Sequence, residues 1–144
     1  LLPKGVAWAE ACSKDLLLRG LPLDDVQMKI AGTVGVAHPE LIRIIAIDHF
    51  PRPDDPYLTK VIDEQQMLGD NCVGLTLGYG IYIRKGHTNI RLLSHEYRHV
   101  YQYEKAGSIA SYLAVYIEQV LQVGYYNSQL EVDARSHEII FSGS

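Results

Sequence analysis

Two histidines and a glutamate, His95, Glu96 and His99, follow the spacing H-E-x-x-H. In a helix, side chains four residues apart lie above one another on one face, so that both imidazoles can bind the same metal ion. Glu96 lies about 100° around the helix from His95. Its carboxylate can therefore reach a water on that ion but is poorly placed to be a ligand. The pattern predicts a Zn²⁺ site with His95 and His99 as ligands and Glu96 as the general base.

The sequence predicts that this motif lies in a helix over residues 90–106, with Thr88 or Asn89 as the N-cap and Gly107 as the stop. The predicted apolar stripe contains Leu92, Leu93, Val100, Tyr103 and Ala106, and the predicted polar face contains Arg91, Ser94, Arg98, Tyr101, Gln102 and Lys105. The three motif residues fall within the apolar stripe. Ionisable groups buried there need partners. A metal ion would satisfy all three, and the alternative is a pair of core histidines hydrogen-bonded to a carboxylate.

A catalytic zinc needs a third protein ligand and an open fourth position. Gln102 and Lys105 stand where a metzincin would carry its glycine and third histidine, so that arrangement is excluded. The third ligand is therefore expected to be a downstream carboxylate or His137. Glu118 has a suitable spacing, but it falls on the polar face of the helix predicted over residues 109–123 and is expected to be solvated.

Glu131 opens a further predicted helix and is the better candidate for the third ligand. Ser128 precedes it by three residues, however, and S-x-x-E is also a capping box, in which the glutamate satisfies the first amide of its own helix. The spacing leaves open whether Glu131 is a ligand or a cap.

The elements around these residues predict an α+β fold. Helices are expected at residues 5–19 and, more weakly, at 24–37, a strand at 41–47, and a short helix begun by Asp55 and Pro56 and closed by Gly69. Apolar and other residues alternate from Val73 to Arg84. This segment is expected to be an edge strand that binds an extended peptide, with Gly78, Gly80 and Tyr82 as candidate contacts, or a hairpin that turns at residues 78–80.

Composition sets the class of protein. The 144 residues have room for one domain, the net charge is −4, and the 13 lysines and arginines are scattered, which argues against nucleic acid as a partner. No apolar run approaches the length of a membrane span. Cys12 and Cys72 are expected to be reduced thiols. The chain as printed favours the cytoplasm, and secretion stays open if a signal peptide preceded residue 1. The oligomeric state is not predicted.

The run from Leu92 to Gln102 resembles the L-L-x-H-E-x-x-H-V-x-Q helix of small bacterial gluzincin-type metallopeptidase domains, of the kind associated with extracellular contractile injection systems. Residues 74–83 resemble the strand before that helix, and residues 124–135 resemble the segment that carries the third ligand. The resemblance covers roughly residues 41–138. It implies a zincin-like fold with a small β-sheet, an active-site helix and further packed helices. It also implies that Glu131 is the third zinc ligand.

The chain departs from the family pattern where Ser128-Gln129 replaces a frequent Asn-Pro and Asp133 replaces a frequent glutamate. These departures concern the residues that support the ligands. We expect one zincin-like domain over residues 1–144, with a helical N-terminal portion (residues 1–40) of uncertain role and a metallopeptidase-like core at residues 41–141.

The function expected from the motif and the resemblance is hydrolysis of a peptide bond in a peptide or protein substrate by a Zn²⁺-bound water, with Glu96 as the base. The residue that stabilises the oxyanion stays open among Tyr125, Tyr126, Tyr82 and His137. Asp133 is a candidate to support the ligands. The alternative function is a zinc-binding pseudoenzyme that acts as a scaffold or interaction module.

Overall fold

A computed structural model describes residues 2–140 as six α-helices and a four-stranded mixed sheet, which confirms the predicted α+β class. Residue 1 and residues 141–144, which include the ends of the predicted domain and core, lie outside the described residues. In chain order the elements are α1 (Leu2–Arg19), β1 (Leu21–Pro22), α2 (Asp25–Thr33), β2 (Arg43–Ile47), α3 (Pro56–Glu64), β3 (Gly74–Leu77), β4 (Gly80–Arg84), α4 (Ile90–Ala106), α5 (Ile109–Val123) and α6 (Gln129–Ser136). None of the described helices is both long and apolar enough to cross a membrane.

The sheet has the strand order β1-β2-β4-β3, with β2 and β4 parallel and the outer strands antiparallel to their neighbours. Alternate residues of β4 face opposite layers, as the pleat requires. Ile81 and Ile83 pack with α2 and α4, whereas Tyr82 packs with Ala9 and Leu16 of α1. The sheet is therefore covered by α1 on one face and by α2 and α4 on the other. Helices α5 and α6 pack against α4 beyond the β3 edge.

The segment from Val73 to Arg84 forms a hairpin, as the second of the two interpretations predicts. Its turn lies at Gly78, whose φ of +67° is a left-handed conformation that suits glycine. Strand β4 is paired on both sides, so the prediction that Gly80 and Tyr82 contact a peptide at a sheet edge is wrong. Gly80 has a packing role instead: a Cβ there would lie 2.6 Å from the Cβ of Leu16. The edge position belongs to β3.

The predicted helix boundaries hold best where a capping residue is present. Asn89 caps α4 by accepting from the amide of Leu92 at 2.8 Å, and Gly107 ends it with a φ of +88°. Helix α5 spans the predicted residues 109–123. Two predicted ends are wrong. Helix α2 stops at Thr33, before Gly35 takes a φ of +105°, and α3 ends at Glu64 rather than at Gly69.

Candidate metal centre

Three side chains from two helices converge at the β3 edge of the sheet. His95 and His99 lie one turn apart on α4, and Glu131 reaches them from α6. The Oε1 atom of Glu131 lies 3.2 Å from Nε2 of His95 and 3.3 Å from Nε2 of His99. Glu131 and His99 are buried, and the side chain of His95 is 14% exposed. The three residues form a group that could hold a metal ion.

The carboxylate of Glu131 is directed to the histidines and not to the amide of its own N-cap. Ser128 does cap α6, since its Oγ accepts from the Glu131 amide at 3.4 Å. The Oε2 atom of Glu131 accepts a hydrogen bond from the hydroxyl of Tyr116 at 2.7 Å. Oε1 faces both imidazoles, and Oε2 also lies 3.2 Å from Nε2 of His99.

A second carboxylate fixes the orientation of His95. Nδ1 of His95 lies 2.8 Å from Oε2 of Glu138, and Glu138 in turn accepts from Nε of Arg91 at 2.7 Å. A carboxylate can only accept, so Nδ1 carries the hydrogen and Nε2 of neutral His95 presents its lone pair towards Glu131. Such outer partners are typical of histidines that bind metals.

An amide fixes the orientation of His99. Nδ1 of His99 lies 2.8 Å from Oε1 of Gln102. The other end of that amide, Nε2, donates to the carbonyl of Leu130 and to Oδ2 of Asp133, each at 2.9 Å. Because both of these partners are acceptors, the amide oxygen must face His99. Neutral His99 therefore also directs the lone pair of Nε2 towards Glu131.

The donor set and its spacing fit zinc. In a tetrahedral site with bonds of about 2.0–2.1 Å, neighbouring ligand atoms are about 3.3 Å apart. The contacts of Glu131 Oε1 with the two Nε2 atoms have this length. Two imidazoles and a carboxylate are a typical ligand set of catalytic zinc.

Glu96 lies beside this group but is not part of it. Its Oε2 is 4.0 Å from Nε2 of His95, and its side chain is buried. The hydroxyl of Thr76 in β3 donates to Oε1 of Glu96 at 2.8 Å. Gly74 of the same strand leaves room for the carboxylate: a Cβ at this position would lie 2.8 Å from Oε2 of Glu96. Strand β3 thus fixes where the carboxylate points.

Without a metal, the charges of the group are strongly coupled. Burial by itself lowers the pKa of His99, but the charge and hydrogen bond of Glu131 outweigh it and raise this pKa to about 9. Burial raises the pKa of Glu131, and the two histidines reverse this effect and hold it well below its usual range. The pKa of His95 shifts in the same direction: burial lowers it, but the neighbouring carboxylates outweigh burial and raise it. Near neutral pH a metal ion must therefore displace the proton that the raised pKa keeps on the imidazole of His99.

A cavity of about 230 Å³ opens on the side of the group that faces β3, α1 and α5. Glu96, His99 and Glu131 lie in its wall, together with Tyr125. Burial and the carboxylates of Glu131 and Glu96 raise the pKa of Tyr125, so its hydroxyl keeps its proton near neutral pH. Of the predicted oxyanion donors, Tyr125 is the one in the described wall of this cavity.

The other predicted oxyanion donors lie elsewhere. Tyr126 is 68% exposed, with the guanidinium of Arg135 over its ring. Tyr82 is buried on the α1 face of the sheet. His137 bonds through Nδ1 to the backbone oxygen of Asp133 at 2.8 Å and contacts none of the three candidate ligands. The structure thus distinguishes Tyr125, in the cavity wall, from the three other residues that the sequence offers equally as oxyanion donors.

Asp133 supports the site indirectly, through Gln102. Its carboxylate accepts hydrogen bonds from Nε of Arg98 at 2.8 Å and from the side-chain amide of Gln102. It thereby fixes the amide that bonds His99. Burial alone would raise the pKa of Asp133, but the hydrogen bond from Arg98 contributes most to lowering it overall.

Five residues that bond the site were not singled out as functional from the sequence: Thr76, Gln102, Tyr112, Tyr116 and Glu138. The placement of Ser94 and Gln102 on an exposed polar face is also wrong, since both are buried. Helix α6 and the chain after it cover that side of α4, and the amide of Ile139 donates to the hydroxyl of Ser94 at 2.8 Å. Gln102 follows His99 by three residues on the same helix, and this spacing is the one local signal that could have revealed it. Glu118 is exposed, as predicted.

The chain was compared with known proteins. No protein-family model matches it. No curated protein and no solved structure matches it either.

Proposed function

We propose that this chain is a zinc-dependent peptidase of the gluzincin type, with His95, His99 and Glu131 as ligands and Glu96 as the general base. The observation that carries the proposal is the buried carboxylate of Glu96, which lies next to the candidate ligands and in the wall of a cavity. A structural zinc site is closed by four protein ligands, whereas a catalytic site has three and an open side. Among the described residues, the group has three candidate ligands, and the cavity lies next to it.

The chemistry of bound Zn²⁺ at this position is that of a Lewis acid, which polarises a carbonyl and makes water more acidic. Glu96 would accept the proton of the attacking water and then deliver it to the leaving amine. Thr76 holds the carboxylate in position for both transfers. The hydroxyl of Tyr125 would donate to the oxygen on which negative charge develops.

Strand β3 offers a place for the main chain of a substrate. The amide of Arg84 donates to the carbonyl of Val73 at 2.9 Å. In the antiparallel register this makes Leu75 and Leu77 the residues bonded to β4, and it turns the backbone N–H and C=O groups of Gly74 and Thr76 away from that strand. The Gly74 carbonyl accepts from the thiol of Cys72 at 3.3 Å, so an extended peptide would pair with the backbone of Thr76, beside Glu96. We therefore propose β3, in place of β4, as the strand that pairs with a peptide.

The test is the substitution Glu96→Gln, which preserves the size of the side chain and removes the base. We expect zinc content to stay at one per chain and peptide hydrolysis to fall by roughly 10²–10⁴-fold, the usual contribution of general acid–base catalysis. Glu118→Gln, at an exposed carboxylate, is the matched control and should leave both unchanged. A wild-type protein that binds zinc but cleaves no peptide would contradict the peptidase proposal and favour a zinc-binding scaffold.

A further inference from the structure

The cavity beside Glu96 is almost entirely apolar away from the site. Apart from Glu96, His99 and Glu131, no charged side chain lies in its described wall. It is built mainly by α1, α3, α5 and the chain after α3. The apolar side chains of its wall include Trp8, Leu58, Met67, Leu113, Ile117 and Val120. A wall of this composition binds apolar groups and rejects charged ones.

The size of the cavity matches one large side chain. A closed apolar cavity of about 150 Å³ accommodates benzene, and this cavity has about 230 Å³. A phenyl, isobutyl or thioether side chain would fill most of it. A methyl group would leave most of the space empty and gain little from burial.

We infer that this cavity is a specificity pocket that takes a large apolar side chain, such as that of Phe, Leu or Met, from a residue next to the scissile bond. The inference rests on the proposed peptidase function and adds the class of substrate. Continuity with the site supports it, because Glu96 and the candidate ligands His99 and Glu131 form one end of the same cavity. An apolar side chain inserted there would place its own main chain beside the base.

Two residues on facing helices control the width of the pocket. Gly5 is a buried glycine of α1, and a Cβ there would lie 3.9 Å from the side chains of both Ile117 and Leu58. Alanine would therefore fit, and a longer side chain would grow into the space between them. Substitution of Ile117 by a smaller residue would widen the same space. The two changes alter the pocket without touching Glu96 or the candidate ligands.

The first experiment measures cleavage preference with the zinc-loaded protein, a mixed peptide library and mass spectrometry of the products. We expect the wild type to prefer Phe, Leu and Met over Ala on one side of the cut by roughly tenfold or more. Gly5→Leu should remove most of this preference, and Ile117→Ala should shift it towards Trp. Ala7→Leu, which adds a similar volume on the exposed side of α1, is the matched control and should change nothing. Cleavage without apolar preference, or a preference that neither pocket variant alters, would overturn the inference.

The second experiment measures binding without catalysis. Trp8 is the single tryptophan of the chain and lies in the pocket wall, so its fluorescence reports occupancy. The Glu96→Gln protein is titrated with N-acetyl-phenylalaninamide and with N-acetyl-alaninamide. We expect a saturable change with the first compound alone, which Gly5→Leu abolishes and Ala7→Leu preserves. Equal responses to both compounds, or a response to decanoate in place of them, would overturn the inference. If the wild type cleaves no peptide, the peptidase proposal is contradicted, and this titration still decides the nature of the pocket.

Discussion

Each candidate zinc ligand is held on its far side by another residue. Glu138 bonds His95, Gln102 bonds His99, and Tyr116 bonds Glu131. These bonds fix which nitrogen or oxygen of each side chain faces its neighbours. A site arranged in this way before the ion arrives loses less conformational freedom on binding it.

The contact between Glu138 and His95 leads to a prediction about zinc affinity. Glu138→Ala removes the acceptor that orients the imidazole, and we expect the Kd for Zn²⁺ to rise by about 10–100-fold, as is usual for the loss of such a partner. The measurement is competition with a chromophoric chelator at pH 7.5. Glu118→Ala is the control, because it deletes a carboxylate that is exposed on α5. Equal affinities of the two variants would show that Glu138 does not orient the ligand.

The adjacent residues Tyr125 and Tyr126 offer a matched pair. Tyr125→Phe should lower kcat for peptide hydrolysis by about 10²-fold, since it removes a donor to the developing oxyanion. KM and zinc content should stay near their wild-type values. Tyr126→Phe should leave kcat unchanged, because Tyr126 is 68% exposed on the surface. A Tyr125→Phe protein with full kcat would assign the oxyanion donor to another group.

The sequence predicts best those candidate site residues whose arrangement depends on local geometry. His95, Glu96 and His99 lie within two turns of one helix, so their spacing alone states their relation. Glu131 acts from another helix, and its sequence context suits a cap as well as a ligand; only tertiary structure shows that Tyr116 and the histidines take its carboxylate. Glu138 has no sequence relation to His95 at all.

At the scale of elements, β3 is the strand on which the proposed chemistry depends. It supplies the hydroxyl that holds Glu96, the glycine that makes space for it, and the outer edge of the sheet beside the cavity. The alternation of residues from 73 to 84 predicts extended chain but does not say where the chain turns. Two neighbouring positions, Gly78 and Gly80, suit a turn equally well. Packing of Gly80 against Leu16 decides that the second of them lies inside a strand.

The close approach of β3 and α4 leads to a prediction for Gly74. In Gly74→Ala, the new methyl group would lie 2.8 Å from Oε2 of Glu96, so the carboxylate or the strand must move. We expect peptide hydrolysis to fall at least about tenfold while zinc binding is retained, because the three atoms nearest to the new methyl group all belong to Glu96, which is not a candidate ligand. Gly69→Ala is the control, since nothing lies within 4 Å of a Cβ there. Full activity of Gly74→Ala would mean that Glu96 need not hold its described position.

Helix ends also show what local signals can and cannot predict. The caps of α4 and α5 are formed by side chains that bond their own helix, and these ends agree with the sequence. Helix α3 ends without such a signal. The chain leaves it through Gln66 and Leu68 in left-handed conformations, which nothing in the residue types favours. The buried contacts of this segment with α1 and the cavity select its path.

For the whole molecule, the site joins two parts of the fold. The candidate ligands come from α4 and α6, whereas the pocket is built largely by α1, α3 and α5. Residues 1–40, which resemble no part of the gluzincin pattern, therefore have a role in the structure: α1 covers one face of the sheet and forms a wall of the pocket.

The charges of the site predict opposite pH dependences for the metal-free and zinc-loaded protein. In the metal-free protein the pKa of His99 is raised from 6.5 to about 9, so its contribution to stability is complete below pH 6.5 and is lost as the pH rises through 9. The pKa of Glu131 is lowered, so its contribution is present above its ordinary value of 4.5 and is lost only in stronger acid. Zinc competes with protons for the imidazoles, and its contribution therefore grows as the pH rises.

Thermal unfolding at pH 6.5, 8 and 9.5, in EDTA and in excess Zn²⁺, measures this contrast. We expect the Tm difference between the two conditions to increase with pH, with most of the change between pH 6.5 and 9. His99→Gln, which removes the titrating ligand, should flatten the difference. A Tm difference that is constant across this range would contradict the assigned protonation of the group.

The order of these parts along the chain has a consequence for synthesis. A ribosome adds about 5–20 residues each second and releases the N-terminal elements first. All four strands, the pocket helices and the histidine pair are therefore complete before Glu131 is translated, and Glu138 follows later still. A nascent chain would have a place for substrate but an incomplete ligand set. The proposed hydrolytic activity would thus arise only after the sheet and the pocket helices have been translated, so that this site could not cleave them while they are being made.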